Sequence, residues 1–527
     1  MTAGAGRRPP LLLVLAATAV VAALVLPLAY LLVRAAGGGT DALAVLWDDG
    51  TLRLVRSTLL LVAGVVAASV LVGVPLAWLV TRTDLPGRRG WAAAAALPLV
   101  VPSYVAALAL LGAFGERGLL QRLLGVERLP DITGYWGALL ALTLSTYPYV
   151  FLLAQASLRG LDPSLEEAAR GLGLSRPRVF ARVTLPALRP AVGAGALLVA
   201  LYSLSDFGVV SLMRYDALTR AIYLQYRALF DRTPAAVLGL VLVALTALVV
   251  LAEWRTRTRG RQYRTSPGAA REAAPVRLGR WRWPALAFCT ATVGTFLAVP
   301  AAVLGYWLVR GLRNERELDV PVGEALNSLV ASSLAAGVAV AAALPVAVLA
   351  LRHPSRRTAL LERLSYAGNA LPGIVIALSL VFFAARYASP VYQTLALLVF
   401  AYVVRFFPQG LSGVESALER VNPRLEEAAR GLGRGPLTTA ARVTVPLVRS
   451  GLLAGAALVF LSAMKELPAT LLLRPIGFET LATEIWRFTS VGAYSRAALP
   501  ALVLIAVSAP FLYLLSGERR SAGGGPG

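Results

Sequence analysis

Charged side chains interrupt otherwise apolar sequence in two equivalent parts of this chain. In “SLSDFGVVSLMRYD” and “SAMKELPATLLLRP”, Asp206 stands 260 positions before Glu466, and Lys465 immediately precedes Glu466. Charges inside apolar helices are costly and usually mark the path of an ion or a substrate. A structural ion pair, or a lysine that reaches the membrane surface, is the alternative. Because Lys465 and Glu466 are adjacent, they point to different faces of a helix and are not expected to satisfy only each other.

The elements that would hold these charges are long apolar helices. The chain has 527 residues, of which 57% are hydrophobic, whereas soluble chains average about 45–50% apolar residues. Stretches of roughly 20 apolar residues, enough to span a bilayer, recur along it. We therefore predict an all-α polytopic membrane protein with about twelve spans. They fall near 11–34, 57–80, 91–114, 135–157, 187–213, 235–254, 284–309, 328–351, 366–385, 392–416, 447–473 and 496–515.

The net charge of +23 has a pattern that argues against nucleic-acid binding. Its 51 basic residues, against 28 acidic ones, are spread over every second loop rather than gathered in one domain. Positive charge collects in the cytoplasmic loops of membrane proteins. We therefore expect both termini on the cytoplasmic side.

The composition also excludes several kinds of site. The only cysteine is Cys289 and the only histidine is His353, so an internal disulfide, a Cys-rich metal site and a Ser/His/Asp or Cys/His set are not expected. A phosphate-binding G-x-x-x-x-G-K-[ST] loop requires a lysine, and the only lysine, Lys465, does not lie in one. We predict a chain without catalytic residues, a metal site or a cofactor of its own.

A polar nine-residue sequence, “LEEAARGLG”, occurs at Leu165–Gly173 and again at Leu425–Gly433. “ARVTLP” and “ARVTVP” follow the two copies at the same spacing of 260. Upstream, matching prolines and arginines are 270 apart, as in Pro102 and Pro372. Such repetition indicates two six-span halves. Because six is even, the halves enter the membrane in the same direction, and their symmetry axis lies along the membrane normal.

Each nine-residue copy is predicted to form a short helix outside the bilayer. Asp162-Pro163 and Asn422-Pro423 provide N-cap and first-turn signals. Leu165, Ala168, Ala169 and Leu172 would form one apolar face, with Glu166, Glu167 and Arg170 on another face. We expect Gly171 or Gly173 to provide a left-handed stop, and Gly171 and Gly431 to hold a bend that no side chain fits. An ordinary amphipathic interfacial helix is the alternative.

“EEAARGLG” followed by “RVTLP” resembles the EAA motif of type I ABC importer permeases. The resemblance covers both halves and implies a fused pair of transmembrane domains. It implies that each loop is a coupling helix that docks on a cytoplasmic ATPase subunit, with ATP and Mg bound by two such partners rather than by this chain. The first copy continues “LGLSRPRVFARV” and the second “LGRGPLTTAARV”, so the two docking surfaces need not be equivalent. The residues assigned to coupling are Glu166, Glu167, Ala168, Ala169, Gly171, Gly173, Glu426, Glu427, Ala428, Ala429, Gly431 and Gly433.

The charged stretches resemble those of iron(III) importer permeases. This implies ferric iron delivered by an extracytoplasmic binding protein to a permease of the bacterial cytoplasmic membrane. Hard Fe(III) favours oxygen donors, so Asp206, Glu466 and Tyr202 would contact it, with Lys465 as a gate or charge balance. Relatives for thiamine, polyamines, sulfate or phosphonates share the fold and remain alternatives.

An ion-coupled secondary transporter is a further alternative, but it would carry ionisable residues on several spans. The intramembrane charges of this chain are expected on only two helices, the equivalent fifth and eleventh spans of the two halves. A membrane scaffold that anchors nucleic acid would need a concentrated basic domain.

The predicted division of the chain is 1–52 (tail, first helix and loop), 53–254 (first transmembrane domain), 255–283 (basic cytoplasmic linker), 284–322 (seventh helix and loop), 323–515 (second transmembrane domain) and 516–527 (tail).

Overall fold

A computed structural model of the chain describes residues 9–115, 118–127, 129–228, 233–257, 275–314 and 319–521. These residues form helices joined by short turns, and within these ranges the only β-type pairing is an isolated bridge between Thr83 and Val276. The prediction of an all-α protein is confirmed. Residues 258–274 of the predicted linker, and Glu317 in the predicted loop after the seventh span, lie outside the described residues.

The first half contains thirteen α-helices within the described residues. They are α1 (Leu11–Ala36), α2 (Gly39–Leu46), α3 (Asp49–Arg82), α4 (Arg88–Ala96), α5 (Ser103–Phe114), α6 (Leu119–Leu124), α7 (Tyr135–Gly160), α8 (Pro163–Gly171), α9 (Arg176–Val179), α10 (Leu185–Ser205), α11 (Gly208–Leu212), α12 (Leu218–Ala228) and α13 (Thr233–Arg257). A π-helical turn, Phe180–Thr184, joins α9 to α10.

The second half repeats this order, with its first span divided by a π-helical turn, Gly294–Ala298, and a second π-helical turn at Ala440–Thr444. Its described helices are α14 (Arg282–Val293), α15 (Val299–Arg313), α16 (Val322–Arg352), α17 (Arg356–Ser365), α18 (Gly373–Tyr387), α19 (Leu395–Leu418), α20 (Pro423–Gly431), α21 (Pro436–Thr439), α22 (Val445–Met464), α23 (Pro468–Leu473), α24 (Leu481–Ser490) and α25 (Tyr494–Ser521).

All twelve predicted spans coincide with helical segments, but several are not continuous. Among the described residues, ten helical segments are long and apolar enough to cross a membrane, and α17 with α18 forms an eleventh if this pair, bent by 100°, counts as one. The last predicted span corresponds to a shorter apolar helix, Tyr494–Pro510.

Prolines and carboxylates explain the interruptions. Val101 and Leu371 are extended, with ψ of 121° and 115°, because a following proline disfavours the helical conformation. The predicted third and ninth spans therefore break before Pro102 and Pro372. The predicted fifth and eleventh spans break after α10 and α22, where Asp206 and Glu466 turn back to bond the next short helix.

Each half is centred on a bundle of three packed helices: α3, α7 and α10 in the first, and α16, α19 and α22 in the second. Small residues allow close approach of helices where no water drives their association. A Cβ on Gly195 would lie 2.8 Å from the Cα of Val150, and one on Gly413 would lie 2.6 Å from the Cα of Gly455. Larger residues at these crossings would separate the helices.

The first helix of each half packs against the other half. α1 packs on α16 and α18, and the Tyr30 hydroxyl donates to the Phe382 carbonyl at 3.4 Å. α15 packs on α5, and Trp307 Nε1 donates to the Gly112 carbonyl at 3.0 Å. The two halves therefore hold each other through exchanged helices, which fixes the position of their charged breaks.

Candidate functional site

The repeated loops begin as predicted. The Asp162 carboxylate accepts a hydrogen bond from the Ser164 amide at 3.0 Å, and this bond lowers the pKa of the carboxyl. In the second half, Asn422 Oδ1 accepts from the Arg424 amide at 3.1 Å. The N-cap prediction is confirmed in both copies.

The end of each loop helix depends on the second glycine, not the first. Gly173 and Gly433 have φ of +82° and +81°, a conformation that favours glycine. After each one the chain closes the helix with a bond across the turn, at 3.2 Å, from Leu174 to Ala169 and from Arg434 to Ala429.

The predicted bend at Gly171 and Gly431 is wrong. Both residues are helical, and an added Cβ would meet no atom within 4 Å. The left-handed turn is formed instead by Gly173 and Gly433, two positions later.

The first glutamate of each copy points into the protein. Glu166 accepts from the Thr184 hydroxyl at 2.8 Å and lies 3.9 Å from Arg82, at the end of α3. Glu426 accepts from the Thr444 hydroxyl at 3.1 Å and lies 3.4 Å from Arg352, at the end of α16. The prediction that Glu166 and Glu167 share one polar face is therefore wrong, because Glu166 is partly buried whereas Glu167 is exposed. The inward glutamate ties the loop to two membrane helices.

The outward surface of the loops is partly apolar. Glu167 and Glu427 are exposed, while Leu172 and Leu432 are 84% and 83% exposed. Ala169 and its equivalent, Ala429, are buried, whereas Leu165 and Ala168 are exposed, so the predicted apolar face does not pack as a unit. Exposed apolar side chains rimmed by charge are typical of protein interaction sites.

The break after α10 is organised by Asp206. Its buried carboxylate accepts from the Ser103 hydroxyl and from the Val209 amide at 2.8 Å. Its backbone carbonyl accepts from the Thr219 hydroxyl at 2.7 Å. No cationic side chain within the described residues forms an ion pair with it, although Arg405 is near enough to attract it. Asp206 is therefore a buried acid held by neutral donors.

Glu466 occupies the equivalent break but has a cationic partner. It accepts from the Ala469 amide at 3.1 Å, and Arg405 Nε lies 3.2 Å from its other oxygen. Gly373 stands where the first half has Ser103, and a Cβ there would clash with the Arg405 guanidinium. The two carboxylates therefore have different surroundings.

Lys465 connects the second half to the first. Its ammonium group donates to the Leu99 carbonyl at 2.9 Å, in the turn that precedes Pro102. Close by, the Phe207 ring lies 5.1 Å from the Trp486 ring, and a Cβ on Gly208 would lie 3.4 Å from Leu467. The two breaks thus meet at the boundary between the halves.

Tyr202 lies one turn before the first break and is partly buried. Its ring is 6.2 Å from the Tyr149 ring, and Asp206 is within electrostatic range. The structure therefore brings Tyr202 and Asp206 together in the first half, and Lys465 and Glu466 together in the second.

Sequence reasoning missed Arg405, and the expectation that intramembrane charge lies on one helix pair is wrong. Arg405 lies in the middle of α19, in the apolar stretch “LLVFAYVVRFFPQG”. An arginine in such a stretch was a visible signal. Ser103 and Gly373 gave no comparable signal, because their roles depend on the contact between α5 or α18 and the break.

Comparisons with known proteins agree with the two-half organisation. The family described as “Binding-protein-dependent transport system inner membrane component” matches residues 70–253 and again 337–519. The Fe(3+)-transport system permease protein FbpB 2 of Haemophilus influenzae is 33% identical over 514 residues, covering 97% of this chain and 98% of that protein.

More distant relatives are similar over smaller parts. The ferric transport system permease protein FbpB of Actinobacillus pleuropneumoniae is 24% identical over 437 residues, covering 78% of this chain and 63% of that protein. The molybdenum transport system permease protein ModB of Escherichia coli is 33% identical over 198 residues, covering 35% of this chain and 84% of that protein.

Proposed function

Since this chain belongs to the family of binding-protein-dependent transport system inner membrane components, we propose that it forms the membrane pathway of an ATP-driven importer for ferric iron. It is a multi-pass transport permease of the ABC importer class. In the proposed system an extracytoplasmic protein delivers the iron, and this chain lies in a bacterial cytoplasmic membrane with both termini in the cytoplasm.

The observation that carries the ATP-driven mechanism is the identical construction of the two loops. α8 and α20 have equivalent side-chain caps (Asp162 and Asn422), the same left-handed turn and the same inward glutamate. Both expose a leucine and a glutamate on the surface away from the membrane helices. Two equal surfaces suit two equal partners, which in this proposal are ATPase subunits that bind ATP and Mg.

The inward glutamates can transmit a movement of the loop helices to the membrane helices. A partner that moves α8 would move Glu166, and through Arg82 and Thr184 it would move the ends of α3 and α10. Glu426, Arg352 and Thr444 would do the same for α16 and α22. In this proposal the docked ATPase thereby shifts the charged breaks at the far end of α10 and α22.

Ferric iron is favoured as the substrate by the near full-length similarity to an iron permease. In the proposed pathway Asp206 offers a carboxylate to the cation, because it has neutral donors as its direct partners. Glu466 is held by Arg405, so its carboxylate contributes less, and Lys465 offsets charge at the boundary of the halves. Relatives whose names specify sulfate, molybdenum or molybdate match between 34% and 45% of the chain, so sulfate and molybdate are the competing substrates.

Uptake into vesicles tests the substrate. The complete complex, with its ATPase and binding protein, is reconstituted with ATP inside, and radiolabelled ferric iron, sulfate or molybdate is supplied outside with the binding protein. We expect ATP-dependent accumulation of iron and none of the oxyanions. Accumulation of an oxyanion in place of iron would overturn the iron assignment and leave the importer assignment intact.

A further inference from the structure

A short segment at the start of the second half is fixed to the end of α3. The Val276 amide donates to the Arg82 carbonyl at 2.8 Å, and the Asp84 amide donates to the Val276 carbonyl at 3.2 Å. The Leu278 amide donates to the Asp84 carboxylate at 2.9 Å. The sequence “RLGRWRW” at 277–283 is therefore anchored on the same side of the membrane helices as α8.

This segment exposes both charge and aromatic surface. Trp281 and Trp283 are 64% and 75% exposed, and the three arginines around them are also exposed. α4 packs against α14 and brings the exposed Arg88 and Arg89 to the same region. We call this set the Arg–Trp patch; its members are Arg88, Arg89, Arg277, Arg280, Trp281, Arg282 and Trp283.

The Asp84 carboxylate lies at the edge of the Arg–Trp patch, where it accepts from the Leu278 amide. None of its five arginines forms an ion pair with any described part of the chain. Five exposed arginines on one packed pair of segments, without an ion pair among the described residues, favour binding of an anion. The structure therefore leaves an unneutralised basic surface at this position.

The position of the patch at the start of a candidate membrane span indicates which kind of anion it would bind. Residues Gly279–Arg313 form one of the candidate membrane spans, and Arg280, Trp281, Arg282 and Trp283 lie in its first turns. Tryptophan is enriched at the level of the lipid headgroups, where its ring is partly in apolar and partly in polar surroundings. Arginines at this level attract anionic lipids of the cytoplasmic leaflet.

We propose that the Arg–Trp patch binds the headgroup of an anionic phospholipid. The arginines bind the phosphate, and the two indole rings lie at the level of the glycerol backbone. Because the patch is joined to Arg82, which also holds Glu166, a bound lipid would steady the end of α3 that supports the first repeated loop.

The other half offers a matched control. α17, the equivalent of α4, also begins with exposed arginines, Arg356 and Arg357, and it packs on α1. The described start of α1 has Leu11 and Leu12 where α14 has its tryptophans. This second site has two exposed arginines at the matching helix start, but it lacks the aromatic residues and the anchored segment.

The test uses native mass spectrometry of the full chain with phosphatidylglycerol or phosphatidylcholine added. We expect the wild-type chain to bind phosphatidylglycerol in preference to phosphatidylcholine. Arg280→Gln with Arg282→Gln should weaken that binding roughly 30-fold, since each arginine near an anionic surface contributes about 1 kcal/mol. Arg356→Gln with Arg357→Gln should change it less than about threefold.

Three results would overturn the proposal. Equal losses in the two double variants would indicate attraction by general surface charge. Displacement of the lipid by inorganic phosphate at matched concentration would indicate a simple anion site. Unchanged binding in the Arg280/Arg282 variant, with its thermal unfolding as in wild type, would exclude the patch. Trp281→Leu with Trp283→Leu keeps the charge, and it should weaken phosphatidylglycerol binding while leaving the fold unchanged.

Discussion

Adjacent glutamates in the repeated loop have different surroundings, because a helix turns by about 100° per residue. Glu166 points inward to Arg82 and Thr184, whereas Glu167 is exposed. The sequence predicted a polar face that contained both. The partner of Glu166 lies 84 positions earlier in the chain, so only the tertiary structure reveals which glutamate is held.

The two predicted pathway carboxylates also differ at the residue scale. Serine at position 103 donates to Asp206, whereas Gly373 leaves room for the Arg405 side chain beside Glu466. The offset of 260 correctly paired the carboxylates but could not show this difference. It arises from residues on other helices.

This difference predicts unequal effects of neutralising each acid. Glu466→Gln should destabilise the chain by about 2–3 kcal/mol, because it leaves the partly buried Arg405 without its partner. Asp206→Asn should leave thermal unfolding nearly unchanged, since an amide can still bond Ser103 and Val209, while iron uptake falls at least tenfold. Thermal unfolding and vesicle uptake of the two variants measure these effects.

A compensated variant separates the two roles. Glu466→Gln with Arg405→Gln should recover most of the lost stability, because both partners of this ion pair are then removed together. Normal uptake by a stable Asp206→Asn chain would remove Asp206 from the pathway. Equal destabilisation by Asp206→Asn and Glu466→Gln would show that both acids are structural.

At the scale of elements, apolar length predicted where helices lie but not where they break. The twelve predicted spans all correspond to helical segments, because about 20 apolar residues form a helix in a bilayer whatever their neighbours. At the breaks after α10 and α22, the Asp206 and Glu466 carboxylates each accept from an amide three residues later. Donors from elsewhere in the fold, Thr219 and Lys465, bond the carbonyls of Asp206 and Leu99. Those donors could not be assigned before the packing was known.

The turn that ends α8 gives an element-scale prediction. Gly173→Ala places a Cβ at φ of +82° and should cost about 1–2 kcal/mol locally. Gly171→Ala adds a Cβ in open space within the helix and should be neutral or slightly stabilising. Hydrogen exchange of the α8 amides measures the difference, and it should be faster only in Gly173→Ala. Faster exchange in Gly171→Ala instead would restore the bend at the first glycine.

At the scale of the whole molecule, the two halves are held together by exchange of their first helices. α1 packs on the second half, and α15 packs on the first half. The repeat predicted two similar domains but not this exchange, because the spacing of a repeat says nothing about which copy a helix packs against.

The central claim is that each repeated loop receives one ATPase subunit. Gly171→Asp and Gly431→Asp test it well, because both positions are exposed and have open space, so an added carboxylate changes the docking surface and leaves the fold intact. The measurement is the mass of the complex purified through this chain after co-expression with its ATPase. We predict two ATPase subunits with wild type, one with either single variant and none with the double variant. Two subunits retained by the double variant, with ATP-driven uptake undiminished, would contradict the account.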